Sequence, residues 1–304
     1  KRLLDWLNNF TFPEEMKFSD IKYASKIASM TLDLCLANGT TTLASYCTIH
    51  PESVDVFFYE AEKRKMSVIA GKTCMDRNAP KNLLDTPKSA HIDSEKLIKK
   101  WHNNGRAIYA ISPRFAPTSS PEQLEILGDL WKSHPDCLMQ THISEQKEEM
   151  DWVQKLFPNS KDYLDVYERF NLIGEGAVFG HAVHLNLRER KRILETNSAI
   201  AHCPTSNMFI GSGIFDLQGM INEDNIVGLA SDTGGGSSFS MLRTMAATYE
   251  LAQLKGFSIH PSQLFWLSTI GSAKALKQED KIGNLKKGLF ADLIILDLNP
   301  AKFL

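Results

Sequence analysis

The chain has 304 residues, with 34 Lys and Arg against 36 Asp and Glu, a formal charge of −2. A composition of 43% hydrophobic and 23% charged residues is ordinary globular usage, which excludes disorder, a collagen-like repeat and a disulfide scaffold. A near-neutral balance without a dense Lys/Arg block offers little counterion-release affinity, so no nucleic-acid surface is indicated, and no run approaches the ~18 apolar residues of a membrane span.

The opening KRLLDWLNNF has neither an initiator Met nor an apolar signal core, so the chain is expected to be the middle of something longer. Its first residues read as a polar loop and a helix that would follow a strand. Ser19 or Asp20 can cap a helix with Ala24, Ile27, Ala28, Leu34 and Cys35 at helical spacing, closed by Asn38-Gly39. The short β-prone run 41–46 follows. Pro51 opens a helix to about Arg64, before a strand at 67–70. A loop and a helix near 93–104 precede a strand at 107–111, and a helix from Pro121 to before Pro135 precedes one at 138–141. Helical patterns near 144–156 and 162–170 lead to a strand at 177–179, and one near 187–196 leads to a strand at 198–201. A loop with a short helix precedes a strand at 226–230, with helices near 239–255 and 262–276 after it.

Seven short, apolar, non-alternating strands separated by helices predict a parallel sheet buried on both faces. A closed β/α barrel wants eight, and the missing strand is most economically placed before Lys1. The other reading is an open doubly wound sheet, which lacks its usual support here because no G-x-G-x-x-G follows a strand. After Ala275 the texture changes. Ala291 to Asp297 reads as a strand outside the βα rhythm, so residues 1–278 are expected to form the barrel and 279–304 to begin a small β element.

Cys35, Cys47, Cys74, Cys137 and Cys203 form no C-x-x-C pair and are odd in number. That fits reduced, mostly buried thiols in an intracellular, cytoplasmic protein.

Four of the nine histidines, His142, His181, His184 and His202, fall at or just past the C-terminal ends of strands, as does Asp232. In a barrel that end carries the active site. His142, His181 and Asp232 offer nitrogen and oxygen donors suited to Zn²⁺ or Fe²⁺. Each also has a plain structural reading: a histidine bonded to a backbone carbonyl, or a helix-capping aspartate. His184 can orient a substrate or only close its loop, and His202 can be packed as readily as functional. His50 reads as a loop residue; His91, His102, His134 and His260 read as surface. Glu145, three residues after His142 and placed in the first turn of the next helix, can act as general base and acid or be an ordinary first-turn acid. Arg114, between Pro113 and Phe115, can donate to a flat heterocycle or sit in a rim salt bridge. Asp76-Arg77-Asn78 invites the same two readings. The glycines 234–236 lack the pattern of a nucleotide phosphate loop.

THISE at 141–145, GHAVHL at 180–185, AHCPTSN at 201–207 and SDTGGG at 231–236 resemble the metal-dependent amidohydrolases. GKTCMDRNAP at 71–80, SPRFAPT at 112–118 and NGTTTLASYCTIHPES resemble, more narrowly, the guanine deaminases among them. The resemblance spans essentially the whole chain. It implies a TIM-type (β/α)8 barrel with part of a small β-sandwich, and hydrolysis of guanine to xanthine and ammonia at one divalent metal, zinc or iron. It implies His142, His181 and Asp232 as metal ligands and Glu145 as the proton-shuttling acid. Arg114 and Phe115 would hold guanine, with His184 near it, in a homodimeric, cytoplasmic enzyme. The family's first-strand H-x-H pair and following glutamine are not in this sequence. They are expected before Lys1, and the piece by itself is expected to be inactive. The alternatives are a relative deaminating a pterin, triazine, cytosine or modified adenosine, and a non-catalytic binding relative.

Overall fold

A computed structural model describes residues 3–297. The strands are β1 (Thr42–Tyr46), β2 (Ser67–Gly71), β3 (Thr73–Cys74), β4 (Ala107–Pro113), β5 (Leu138–Ile143), β6 (Ala177–His181), β7 (Ala199–His202) and β8 (Ile226–Leu229). All pairings are parallel, in the order β1-β2-β4-β5-β6-β7-β8, with two-residue β3 on the end of β4. The sheet curls through 227° as an incomplete barrel, and among the described residues no pairing joins β1 to β8. The seven expected strands are therefore present, and β3 is the addition.

Strand alternation divides the core into two sides. Val68, Ala70, Tyr109, Ile111, Met139, Phe179, Ile200 and Val227 pack against the surrounding helices through Leu32, Val54, Phe57, Leu97, Leu124, Leu127, Leu164 and Ile193. The opposite side is thinner: Ile69, Ile108, Ala110 and Leu138 meet Leu276, while Val178 and Ala199 meet Ala275. The turn Ser272–Ala275 thus plugs the concave face. Gly228 permits this, because a Cβ there would lie 2.9 Å from the Ser272 Cα.

Most helices follow their sequence signals, but two segments differ and one expected strand is not formed. The helix expected near 93–104 begins at Pro87, because Thr86 and Ser89 form a reciprocal cap. The segment expected as a polar loop is helical almost throughout, from Leu3 to Ser19. Its Leu3, Leu7 and Phe12 pack on Ile49, Met75, Leu83, Phe115 and Ile210. Those residues stand in the connections beyond the strands' C-terminal ends, Leu83 and Ile210 in short helices there, so the segment roofs that end of the barrel. Finally, 291–297 is assigned to no strand; 298–304 lies outside the described residues.

Asp20, not Ser19, caps the helix Ile21–Ala37, accepting from the Lys22 N–H at 2.9 Å. All five cysteines are free, and four of them are buried. Among the described residues no helix is long and apolar enough to cross a membrane.

Candidate metal centre and catalytic face

His142 sits one residue from the end of β5, on the concave side with Leu138 and Gln140. Its Nδ1 is 2.7 Å from the Arg114 carbonyl oxygen. A carbonyl only accepts, so Nδ1 carries the proton and Nε2 keeps its lone pair. The ring lies between Tyr46 (centroids 4.5 Å apart) and His181 (5.5 Å). Burial, and secondarily His181, pushes its pKa down to about 3, so the ring is neutral at physiological pH.

His181 ends β6, where alternation alone would turn it toward the helices with Ala177 and Phe179. Backbone φ of +67° at His181 and +52° at Ala182 breaks the alternation. Its Nδ1 lies 2.8 Å from the Asn207 Oδ1, which again leaves Nε2 as the free donor atom. That Nε2 stands 3.6 Å from the Glu145 Oε2 and 3.9 Å from the Asp232 Oδ2. Burial disfavours the imidazolium, yet the Glu145 and Asp232 carboxylates outweigh it and raise the pKa. The pocket thus stabilises positive charge.

Asp232 lies three residues beyond β8, also at positive φ (+48°), and its carbonyl accepts the Gly236 N–H at 2.5 Å. His181, Asp232 and the buried Cys203 present possible ligand atoms within 4.8 Å of one another. His142 is outside that triplet but stacked on its histidine. Two imidazoles with Nδ1–H fixed and Nε2 free, facing carboxylates, suit a divalent metal, and the hydrogen bonds behind them are those that orient ligating histidines.

A second triplet, His102, Asp136 and Cys137, differs in kind. It lies at the opposite, N-terminal end of the strands. There the Tyr109 N–H donates to the His102 Nδ1 at 3.1 Å, so Nε2 carries the proton, which it gives to Asp136 at 2.9 Å. That tautomer has no lone pair at Nε2 for a cation. His102, expected on the surface, has a side chain only 7% exposed, because this bonding ties it beneath β4.

Glu145 is buried at 2% exposure. It was expected in the first helical turn. It instead precedes the helix Lys147–Leu156, whose cap is Gln146. The reason is Glu149: its Oε2 accepts the N–H of both Glu145 and Gln146, at 2.9 and 3.1 Å, stopping the helix one turn short. Glu149 also accepts from the Tyr163 hydroxyl, and burial, with Glu145 nearby, pushes its pKa up to about 7. The Ser212 hydroxyl donates to the Glu145 Oε1 at 2.7 Å, so Oε2 is the oxygen turned to His181.

Arg114 follows β4. Its carbonyl holds His142, while its Nη1 bonds both oxygens of Glu15, at 2.7 and 2.9 Å. Phe115 is buried, edge-on to Trp152. The His184 Nε2 donates to the Ser212 carbonyl at 2.8 Å, so it braces the loop that holds Glu145. His202 points to the helix side with Ile200 and stacks on Phe215 at 4.7 Å. Asp76, Arg77 and Asn78 are structural: Asp76 takes the Ser120 N–H and hydroxyl, and the other two bond carbonyls at 116 and 117.

Sequence reading missed Asn207, Ser212, Glu149 and Glu15. Asn207 ends the AHCPTSN motif, which was a usable signal. Leu3, Leu7 and the Phe12-Pro13 start carried a helical signal for the segment bearing Glu15. Ser212 carried none.

The amidohydrolase family model matches residues 1–303. The chain is 45% identical to the guanine deaminase of Escherichia coli K12 over 98% of its own length and 68% of that protein's. A solved E. coli guanine deaminase superposes with a TM-score of 0.95, covering 96% of this chain and 67% of that one. A guanine deaminase from C. acetobutylicum, solved with guanine bound in its active site, is 31% identical at a TM-score of 0.90, covering 95% and 70%. With its strand-end histidines, Asp232 and Glu145 arranged as above, this chain belongs to the amidohydrolase family, in its guanine deaminase branch.

Proposed function

We propose that the protein hydrolyses the amino group of guanine, giving xanthine and ammonia, with one divalent metal, zinc in the first instance and iron as the alternative. His142 and His181 would hold the metal through Nε2, and Asp232 through its carboxylate. When bound, such a metal lowers the pKa of water from about 15.7 to about 7, so hydroxide is available near neutrality.

Glu145 Oε2 takes the proton of the attacking water and delivers it to the ring nitrogen beside C2. The amino group leaves as ammonia once it too has been protonated. Ser212 keeps Oε1 occupied, so a single oxygen performs the transfers. Asp232 accepts a hydrogen bond that aims the nucleophile at C2. Arg114 donates toward the carbonyl side of the base and Phe115 lends apolar surface, so that C2 and not C6 faces the carboxylates. His184 acts near the base through the Ser212 loop. The enzyme is a homodimer, a reading supported by the exposed Tyr249, Leu254, Phe265 and Trp266 on neighbouring helices.

The observation that carries the reading is Glu145, a buried carboxylate with one oxygen tethered and the other 3.6 Å from the free nitrogen of His181. Steady-state deamination of guanine, adenine and cytosine by the purified intact protein and by its Glu145→Gln variant tests it. Guanine should be strongly preferred, and Glu145→Gln should keep its metal while losing at least the ~10²–10⁴-fold typical of a general acid–base group. Faster turnover of cytosine or adenine would overturn the substrate, and full turnover by Glu145→Gln would overturn the proton shuttle.

A further inference from the structure

Arg114 is held at two points. Its backbone carbonyl takes three hydrogen bonds from β5: the His142 Nδ1–H at 2.7 Å, the His142 N–H at 3.2 Å and the Thr141 hydroxyl at 3.3 Å. Among the described residues its side chain is held only from the N-terminal segment. Both Glu15 oxygens grip one nitrogen, Nη1, and the guanidinium lies 5.3 Å over the Phe12 ring. Nε and Nη2 make no hydrogen bond to the protein among the described residues.

This is not the fork-to-fork pairing that an arginine and a carboxylate adopt when their pairing is the purpose. A one-nitrogen grip leaves a donor pair in one plane for a second acceptor. The two side chains are 13% and 17% exposed, so the charge of Arg114 is neutralised where solvent does so poorly. A neutral base then meets a guanidinium that is already oriented and already has its counter-charge.

We propose that Glu15 is a positioning residue for substrate: by holding the Nη1 of Arg114 it aims the remaining donors of that arginine at the carbonyl side of the base. The inference rests on the function proposed above. The roof over the barrel is thus part of the specificity apparatus, and Glu15 acts through Arg114 without touching the base.

The test is a double-mutant cycle on the metal-loaded intact protein, with Glu15→Gln, Arg114→Gln and the pair, plus Glu15→Asp, read as kcat and KM for guanine and as thermal midpoint. Glu15→Gln, nearly isosteric, should raise KM by ~10-fold or more with kcat changed by less than ~3-fold, as expected for a lost orienting contact. Glu15→Asp should recover part of that loss. In the Arg114→Gln background, removing Glu15 should add less than ~2-fold, because coupled residues are not additive. If Glu15 merely docks the N-terminal segment, the midpoint will fall while KM stays at the wild-type value, which overturns the inference. Equal KM penalties with and without Arg114 also overturn it. Failure of the intact wild-type protein to deaminate guanine would overturn the function itself and this inference with it, whereas normal wild-type turnover with an unaltered Glu15→Gln overturns this inference alone.

Discussion

The two ends of the sheet solve the same backbone problem with different residues. Before the strands, the positive-φ positions other than glycine are Lys65, Asn103, Asn171, Asn197 and Asp224. Four of the five are Asn or Asp, which visit the left-handed region at little cost. After the strands they are Asn78, Ser144, His181, Ala182 and Asp232. Of these Ser144, His181 and Ala182 are not suited to that conformation, which for such residues costs about 1–3 kcal/mol and persists where the surroundings over-determine it. The histidines divide likewise. At the N-terminal end His102 turns both ring nitrogens to the protein. At the C-terminal end His142 and His181 each spend Nδ1 on the protein and leave Nε2 unspent. One end is built for stability, the other for holding something.

The largest effect that can break this contrast is on metal. Replacing His142 or His181 with alanine should abolish stoichiometric metal, measured by mass spectrometry, and activity with it. His102→Ala should retain both and lower stability by about 1–3 kcal/mol, because the Tyr109 N–H is left without its acceptor. Metal loss from His102→Ala would erase the distinction.

Asn207 lies a step behind. It fixes the His181 tautomer, so Asn207→Ala should weaken metal affinity by roughly 10–100-fold in a chelator competition, with the fold intact. Unchanged affinity would mean that the His181 ring needs no such support.

Glu149 sharpens the comparison through pH. Its pKa rises from 4.5 to about 7 on folding, so between those values the folded state holds the proton and the unfolded state does not. That contribution is complete below pH 4.5 and is lost as pH rises through about 7. Between pH 5 and 7.5 the wild type should therefore lose about 2 kcal/mol of stability relative to Glu149→Gln, measured by denaturant titration at each pH. Parallel pH curves would show that Glu149 stays ionised under its hydrogen bonds.

The smallest effect tests the backbone directly. Ala182→Gly should stabilise the protein by about 1 kcal/mol, the relief of φ strain less the added unfolded-state entropy. Asn197→Gly, at the relaxed end, should change stability by no more than about 0.5 kcal/mol. Paired thermal melts report both.

Much of this was legible in residue order. The seven strands could be read because each is a short apolar run bounded by helix caps and breakers. His142, His181 and Asp232 could be singled out because strand ends converge in a barrel. Glu145 was legible as a residue but not in its position, because the side chain that sets where the helix starts, Glu149, acts from one turn downstream. Arg114 was legible as a donor, while its partner 99 residues away was not. His102 read as surface because nothing local announces that Tyr109 will bond it.

The sequence by itself determined the βα rhythm, the helix caps and the chemical types gathered at one end, since these depend on neighbours within a few residues. Tertiary structure decided which nitrogen each histidine keeps free, which oxygen of Glu145 is available, and what grips Arg114. Those outcomes rest on carbonyls, amides and carboxylates contributed by other elements, such as Arg114 to His142, Asn207 to His181, Ser212 to Glu145 and Glu15 to Arg114. A hydrogen bond assigns a proton only when both partners are in place, and only the folded chain brings them together.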